Sequence, residues 1–110
     1  MDIERARNLA LAIEQIEEYE HFGRPAYRMK PRKAGGRPGR TLMTLWTDEG
    51  HAVLMLDREQ QAELVAHHTG AFAPHPSKWG AQGATIAHLR QMSEALFDRA
   101  LRLALSHAGR

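Results

Sequence analysis

A chain of 110 residues can bury one hydrophobic core, so residues 1–110 are expected to form a single domain. Apolar residues make up 43% and charged residues 25%, as in globular proteins, and no apolar run reaches the roughly 18 residues of a membrane span. The lack of cysteine excludes disulfides and thiolate sites. Because the N-terminal segment is acidic and periodic, unlike a signal peptide, a cytoplasmic location is expected.

The first predicted element is a helix. Asp2 is a candidate N-cap, and apolar residues recur at helical spacing from Ile3 to Ile16. Gly23 and Pro25 cannot continue a helix, so the pattern places a break before them.

Three strand signals follow. "PAYRMK", "RTLMTLW" and "HAVLML" are short runs of apolar and β-branched residues, and "TDEG" between the last two is typical of a turn. The spacing predicts an antiparallel three-stranded meander over residues 25–56.

The second half is predicted to alternate between helix and strand. Asp57 caps a helix that begins at Arg58, residues 69–83 are irregular, and "GATIAHL" is a strand. Ser93 is the expected N-cap of a last helix with a broad apolar stripe. The order predicts an α+β fold, an antiparallel sheet with helices packed on it in two layers.

Several short motifs resemble one family when taken in order. They are His21-Phe22-Gly23 with Pro25, Thr44-Leu45-Trp46 leading into Asp48-Glu49-Gly50, and Trp79-Gly80 with Gly83. At this spacing the chain resembles the MmcQ/YjbR family of small bacterial proteins over nearly its whole length. The resemblance implies an α-β(3)-α-β(2)-α fold similar to type III secretion chaperones, and DNA binding through a proposed double-wing arrangement.

The chain departs from the family pattern at two places. Ala84 stands where the family usually has an aromatic residue, and the connection after Met29 is longer and more basic than the family's usual short turn.

That connection is where the positive charge is concentrated. Residues 21–40 hold seven basic and no acidic residues, although the net charge of the chain is only +2. The candidate phosphate contacts are Lys30, Arg32, Lys33, Arg37 and Arg40. Arginine binds phosphate bidentately, and counterion release drives such binding. "GGRPGR" also resembles an AT-hook core, with Gly35 where that motif prefers Arg. The alternatives are a solvated loop or another acidic partner.

A second candidate contact is Trp79 with Lys78 before it, because Trp can stack on a base or sugar. The competing interpretation is that Trp79 plugs the edge of the core.

No enzymatic site, cofactor or metal is predicted. The seven histidines lack HExxH spacing, and no Gly-rich phosphate loop joins a strand to a helix. We interpret His21 as a corner residue that hydrogen-bonds the backbone. It has no accompanying nucleophile, because the available serines lie elsewhere in the chain.

The sequence therefore predicts a non-catalytic, largely sequence-independent DNA-binding protein. The alternative is a protein-interaction module that binds a protein partner or a second copy of itself, because strand residues such as Val53 and Leu54 place apolar groups on both faces of the sheet.

Overall fold

The computed structural model describes all residues, 1–110. Its helices and strands are α1 (Ile3–Leu11), β1 (Ile16–His21), β2 (Arg24–Met29), β3 (Thr41–Trp46), β4 (His51–Met55), α2 (Arg58–His67), β5 (Phe72–Pro74), β6 (Ala84–His88) and α3 (Glu94–Ala108). The strands form one antiparallel sheet in the order β1-β2-β3-β4-β6-β5. The predicted α+β class, the element order and the meander over residues 25–56 are confirmed.

All three predicted N-caps are present. The side chain of Asp2 accepts a hydrogen bond from the Arg5 backbone N–H at 2.8 Å, and Ser93 accepts one from Leu96. Asp57 and Gln60 bond reciprocally as a capping box. None of the helices combines the length and apolar character needed to cross a bilayer.

The first helix is shorter than predicted, and a strand follows it. α1 ends at Leu11, and residues 16–21 form β1, which extends the meander to four strands. Ile13 and Ile16 are buried as the helical spacing suggested, but they lie in the connection and in β1. β1 is held by ion pairs from both sides of the sheet: Arg7 to Glu18 and Arg28 to Glu17, each at 2.8 Å.

The core lies on the side of the sheet that the helices cover. There Tyr27, Met43 and Leu54 from the central strands pack with Phe97 and Leu101 of α3. The opposite side, here called the open face, carries the alternate residues of the strands. Because no helix covers it, any ligand that binds the sheet must approach from the open face or from the ends of the strands.

Candidate nucleic-acid interface

The predicted basic segment is a loop that joins β2 to β3, here called the basic loop (residues 30–40). Its base continues the sheet, because the backbone N–H of Lys30 donates to Gln15 O at 2.7 Å and that of Gly39 donates to Met29 O at 2.8 Å. Within the loop, Gly36 donates to Lys33 O at 3.0 Å. These bonds fix the two ends of the loop to the sheet and give its base a defined shape.

Four of the predicted cations border one shallow groove beside the end of α3, here called the loop groove. It has a volume of about 330 Å³, and no acidic side chain lines it. Lys30, Arg32, Lys33 and Arg37 line it, and none of the four takes part in an ion pair. Arg110 also lines the groove, but it pairs with Asp57 at 3.0 Å. The four free cations therefore form one patch of positive charge.

The fifth predicted cation, Arg40, has a different environment. Its Nη2 donates to the carbonyl oxygens of His107 at 2.7 Å and Arg110 at 3.3 Å, which lie at the end of α3. The His107 carbonyl also accepts from the backbone N–H of Arg110 at 3.2 Å, so Arg40 adds a side-chain bond to a carbonyl at the end of the helix. Because Gly39 and Arg40 are both fixed to the body of the protein, Arg37 is the one arginine of the AT-hook-like segment that is free to reach a ligand.

His107 lies under this contact. Burial lowers the pKa of His107, and the nearby Arg40 and Arg110 lower it further. The lowered pKa favours the neutral form of His107, which does not repel the Arg40 guanidinium that holds the loop.

Trp79 lies at the other end of the strands, where it borders an apolar groove of about 450 Å³ on the open face, here called the aromatic groove. This groove is lined by His21, Phe22, Arg24, Thr44, Trp46, Val53, Met55, His75, Trp79 and Ala84. It shares no residue with the loop groove. The two predicted contact elements are therefore separate sites and not one.

Stacked side chains order the aromatic groove. The guanidinium of Arg24 lies 3.5 Å from the ring centre of Trp46, and the Trp46 Nε1 donates to Thr44 Oγ1 at 3.0 Å. The rings of His51 and His75 lie 5.9 and 6.1 Å from that of Trp46. Burial lowers the pKa of His51, and His88 and His75 lower it further against the opposite effect of Glu49. With its faces contacted in this way, Trp46 serves as the floor of the groove.

The turn that carries Trp79 is packed tightly against α2. The buried Nε2 of Gln61 lies 2.9 Å from Gly80 O and 3.0 Å from Ala84 O. A Cβ at Gly80 would lie 1.8 Å from His75 O, and one at Gly83 would lie 1.8 Å from Leu56 O. The close packing of this turn therefore requires glycine at positions 80 and 83. Trp79 itself is 54% exposed, so it does not plug the core. Lys78 lies beside it, with Nζ 5.5 Å from the ring centre.

Phe22 is one of the residues of this site, with Arg24, that the sequence alone does not mark as a contact. It lies in the β1–β2 turn, is 88% exposed and has φ +51°, the one positive φ outside glycine. Phenylalanine is an unusual choice there, because a two-residue hairpin turn prefers Asn or Gly. The signal in the sequence was Gly23, which marks the turn but says nothing about the exposure of its neighbour.

The predicted role of His21 is wrong. Its ring makes no hydrogen bond to the backbone but contacts Phe22 edge-on, with ring centres 4.6 Å apart.

A second histidine, His75, contacts a serine in the turn that carries Trp79. Its Nδ1 lies 2.9 Å from Ser77 Oγ, and that hydroxyl oxygen accepts from the Trp79 N–H at 3.2 Å. This pair has no carboxylate to orient it and serves to close the turn. No group of three or more His, Asp or Glu side chains is arranged to hold a metal ion.

Parts of the motifs that carry the family resemblance lie together in space, whereas Asp48-Glu49-Gly50 lines a different hollow. Residues from His21-Phe22-Gly23, from the strand that ends at Trp46 and from Trp79-Gly80 meet at the aromatic groove. Comparison with protein-family models, curated proteins and solved structures finds no match to this chain.

Proposed function

We propose that the protein is a non-catalytic nucleic-acid-binding protein of the MmcQ/YjbR type that acts in the cytoplasm and contacts phosphates with its basic loop. The observation that carries this proposal is the patch of four cations without acidic partners, Lys30, Arg32, Lys33 and Arg37, on a groove that no acidic side chain lines. Unpaired cations release counterions when phosphates replace them, and this term is largely independent of sequence.

The proposed family membership is supported by the fold. The resemblance implies an α-β(3)-α-β(2)-α order, and the observed order matches it with the addition of β1 at the edge of the sheet.

The shape of the loop favours phosphate contact over base readout. Its cations belong to an irregular segment and not to a helix or ribbon that would fill the major groove. Phosphate contacts fix position and carry little sequence information. We therefore expect similar affinities for duplexes of unrelated sequence.

Binding to a labelled random duplex at low salt tests the proposal. Replacement of Arg32, Lys33 and Arg37 by Gln should lower affinity by roughly a hundredfold, since each lost phosphate contact weakens electrostatic binding. The matched control replaces Arg90, Arg99 and Arg102, three exposed arginines away from the loop, by Gln and removes the same charge. If both triple variants bind alike, the loop is not the contact and only the net charge matters.

A protein-interaction module is the second candidate function, and the exposed Phe22 favours it. Val53, on the open face, is only 5% exposed, so Val53→Glu would bury a charge and unfold the protein. Phe22 is a better probe because its side chain contributes little buried area. If the protein self-associates through this face, Phe22→Asn should convert a dimer to a monomer in a solution mass measurement.

A further inference from the structure

The aromatic groove has two aromatic rings that are free to accept a ligand. Phe22 is 88% exposed and Trp79 is 54% exposed, whereas Trp46 is already covered by Arg24. Phe22 also holds a left-handed backbone conformation that disfavours any side chain except Asn, Asp or Gly. Exposure and backbone strain at the same aromatic residue favour a contact function over a structural one.

The charges around this groove select the kind of occupant. Arg24 lines it and Lys78 lies beside Trp79, whereas no carboxylate is among its lining residues. Glu18 and Glu20 line a neighbouring hollow that shares Arg24 with this groove, and Asp48 and Glu49 line another. A second copy of the chain docked here would bring like charges together, which disfavours self-association. The groove instead suits a ligand that combines flat apolar rings with negative charge.

The open face connects the aromatic groove to the basic loop. Arg24 and Arg28 point to the open face of β2, because Arg24 covers Trp46 and Arg28 lies 4.2 Å from the ring centre of Tyr19. Lys30 directly follows β2, begins the basic loop and lines the loop groove, so β2 runs from one groove to the other. At about 3.3 Å per residue, the distance from Arg24 to Lys30 along β2 is roughly 20 Å. A flexible polyanion can therefore contact both sites at once.

We propose that the aromatic groove binds unpaired bases of single-stranded nucleic acid, while Arg24 and the basic loop contact its phosphates. This inference rests on the proposed function and adds a preference for single strands. Only an unpaired strand can present the face of a base to Phe22 and Trp79, because duplex bases are already stacked on each other. Base stacking on aromatic side chains beside a basic track is the general way in which proteins hold single strands.

The test compares a labelled oligothymidylate of about 12 nucleotides, within the usual site size, with a random duplex at equal salt. The wild type should bind the single strand about tenfold more tightly. Phe22→Asn and Trp79→Ala should each remove most of that preference and change duplex affinity by no more than about twofold. Asn suits the positive φ at position 22, so this variant keeps its fold. Leu11→Asn, at an exposed apolar position on α1, is the control and should change neither affinity.

The outcomes separate this inference from the proposed function. Equal affinity for both ligands, or single-strand affinity that survives both groove variants, overturns the base-stacking site while phosphate contact by the loop stands. Loss of self-association in Phe22→Asn without loss of single-strand affinity assigns the groove to a protein interface and also overturns it. If neither nucleic acid binds, both proposals fail.

Discussion

The Nη2 of Arg40 lies 2.7 Å from the carbonyl oxygen of His107 and thereby ties the base of the basic loop to the end of α3. This contact separates Arg40 from the four cations that precede it in the loop. Arg40 stabilises the fold, whereas the others are free for a ligand.

Arg40→Ala should therefore lower the free energy of unfolding by about 0.5–1.5 kcal/mol, the usual value of a hydrogen bond, as measured in urea. Its effect on the salt dependence of DNA binding should be small. Arg37→Ala is the matched comparison and should show the reverse: stability within about 0.5 kcal/mol of wild type and a weaker salt dependence. Equal stability losses in the two variants would contradict this division of roles.

Gly83→Ala and Gly80→Ala should each cost about 2–4 kcal/mol in urea unfolding, because the new Cβ would collide with a backbone carbonyl. Gly50 provides the control. It has a positive φ of 72° but open space around it, so Gly50→Ala should cost only about 1–2 kcal/mol. A loss at Gly83 no larger than that at Gly50 would mean that the positive φ, and not the packing, determines its cost. Gly80 has no positive φ, so a negligible loss there would contradict the packing argument directly.

Phe22→Asn should leave the free energy of unfolding unchanged or raise it by up to about 1 kcal/mol, because Asn tolerates the left-handed conformation better than Phe. The measurement is urea unfolding monitored by circular dichroism. A loss of more than about 0.5 kcal/mol would show that the exposed ring stabilises the fold through its neighbours, with His21 the first to examine.

Acidification should destabilise the protein through His51. The pKa of this residue is lower in the folded protein than the value of about 6.5 expected when unfolded, so the folded state binds fewer protons. The contribution of His51 to the free energy of unfolding is complete above about pH 7. It is lost as the pH falls through about 6.5 toward the lower pKa of the folded state.

The change in unfolding free energy between about pH 7.5 and pH 5 should thus be smaller in His51→Gln than in wild type. Since the pKa of His107 is also lowered, part of the pH dependence should remain in His51→Gln. An unchanged pH dependence would contradict the assignment to His51.

Local patterns predicted most of the fold. The N-caps at Asp2, Asp57 and Ser93 depend on bonds between near neighbours in the chain, and the meander follows from short runs and turns. The sequence does not indicate β1, because three of its six residues are glutamates and Ile16 continues the helical spacing of α1. It is a strand because its backbone pairs with β2 along its whole length, and its glutamates pair there with Arg7 and Arg28.

The candidate site was only partly predictable for a related reason. Basic residues can be counted in a sequence, so the loop was found, but the capping role of Arg40 depends on where α3 ends. The aromatic groove joins residues from four segments of the chain through the strand order, which no local pattern specifies. Exposure of Phe22 likewise depends on the absence of any element above the turn.

The salt dependence of binding to a random duplex tests phosphate contact by the basic loop most directly. Four contacts predict a slope of log affinity against log salt of roughly −3 to −4 for the wild type, since each contributes about −0.9. The Arg32, Lys33 and Arg37 to Gln variant should give a slope near −1, while the Arg90, Arg99 and Arg102 to Gln control keeps the wild-type slope. A wild-type slope near zero, or equal slopes in the two triple variants, would contradict the account.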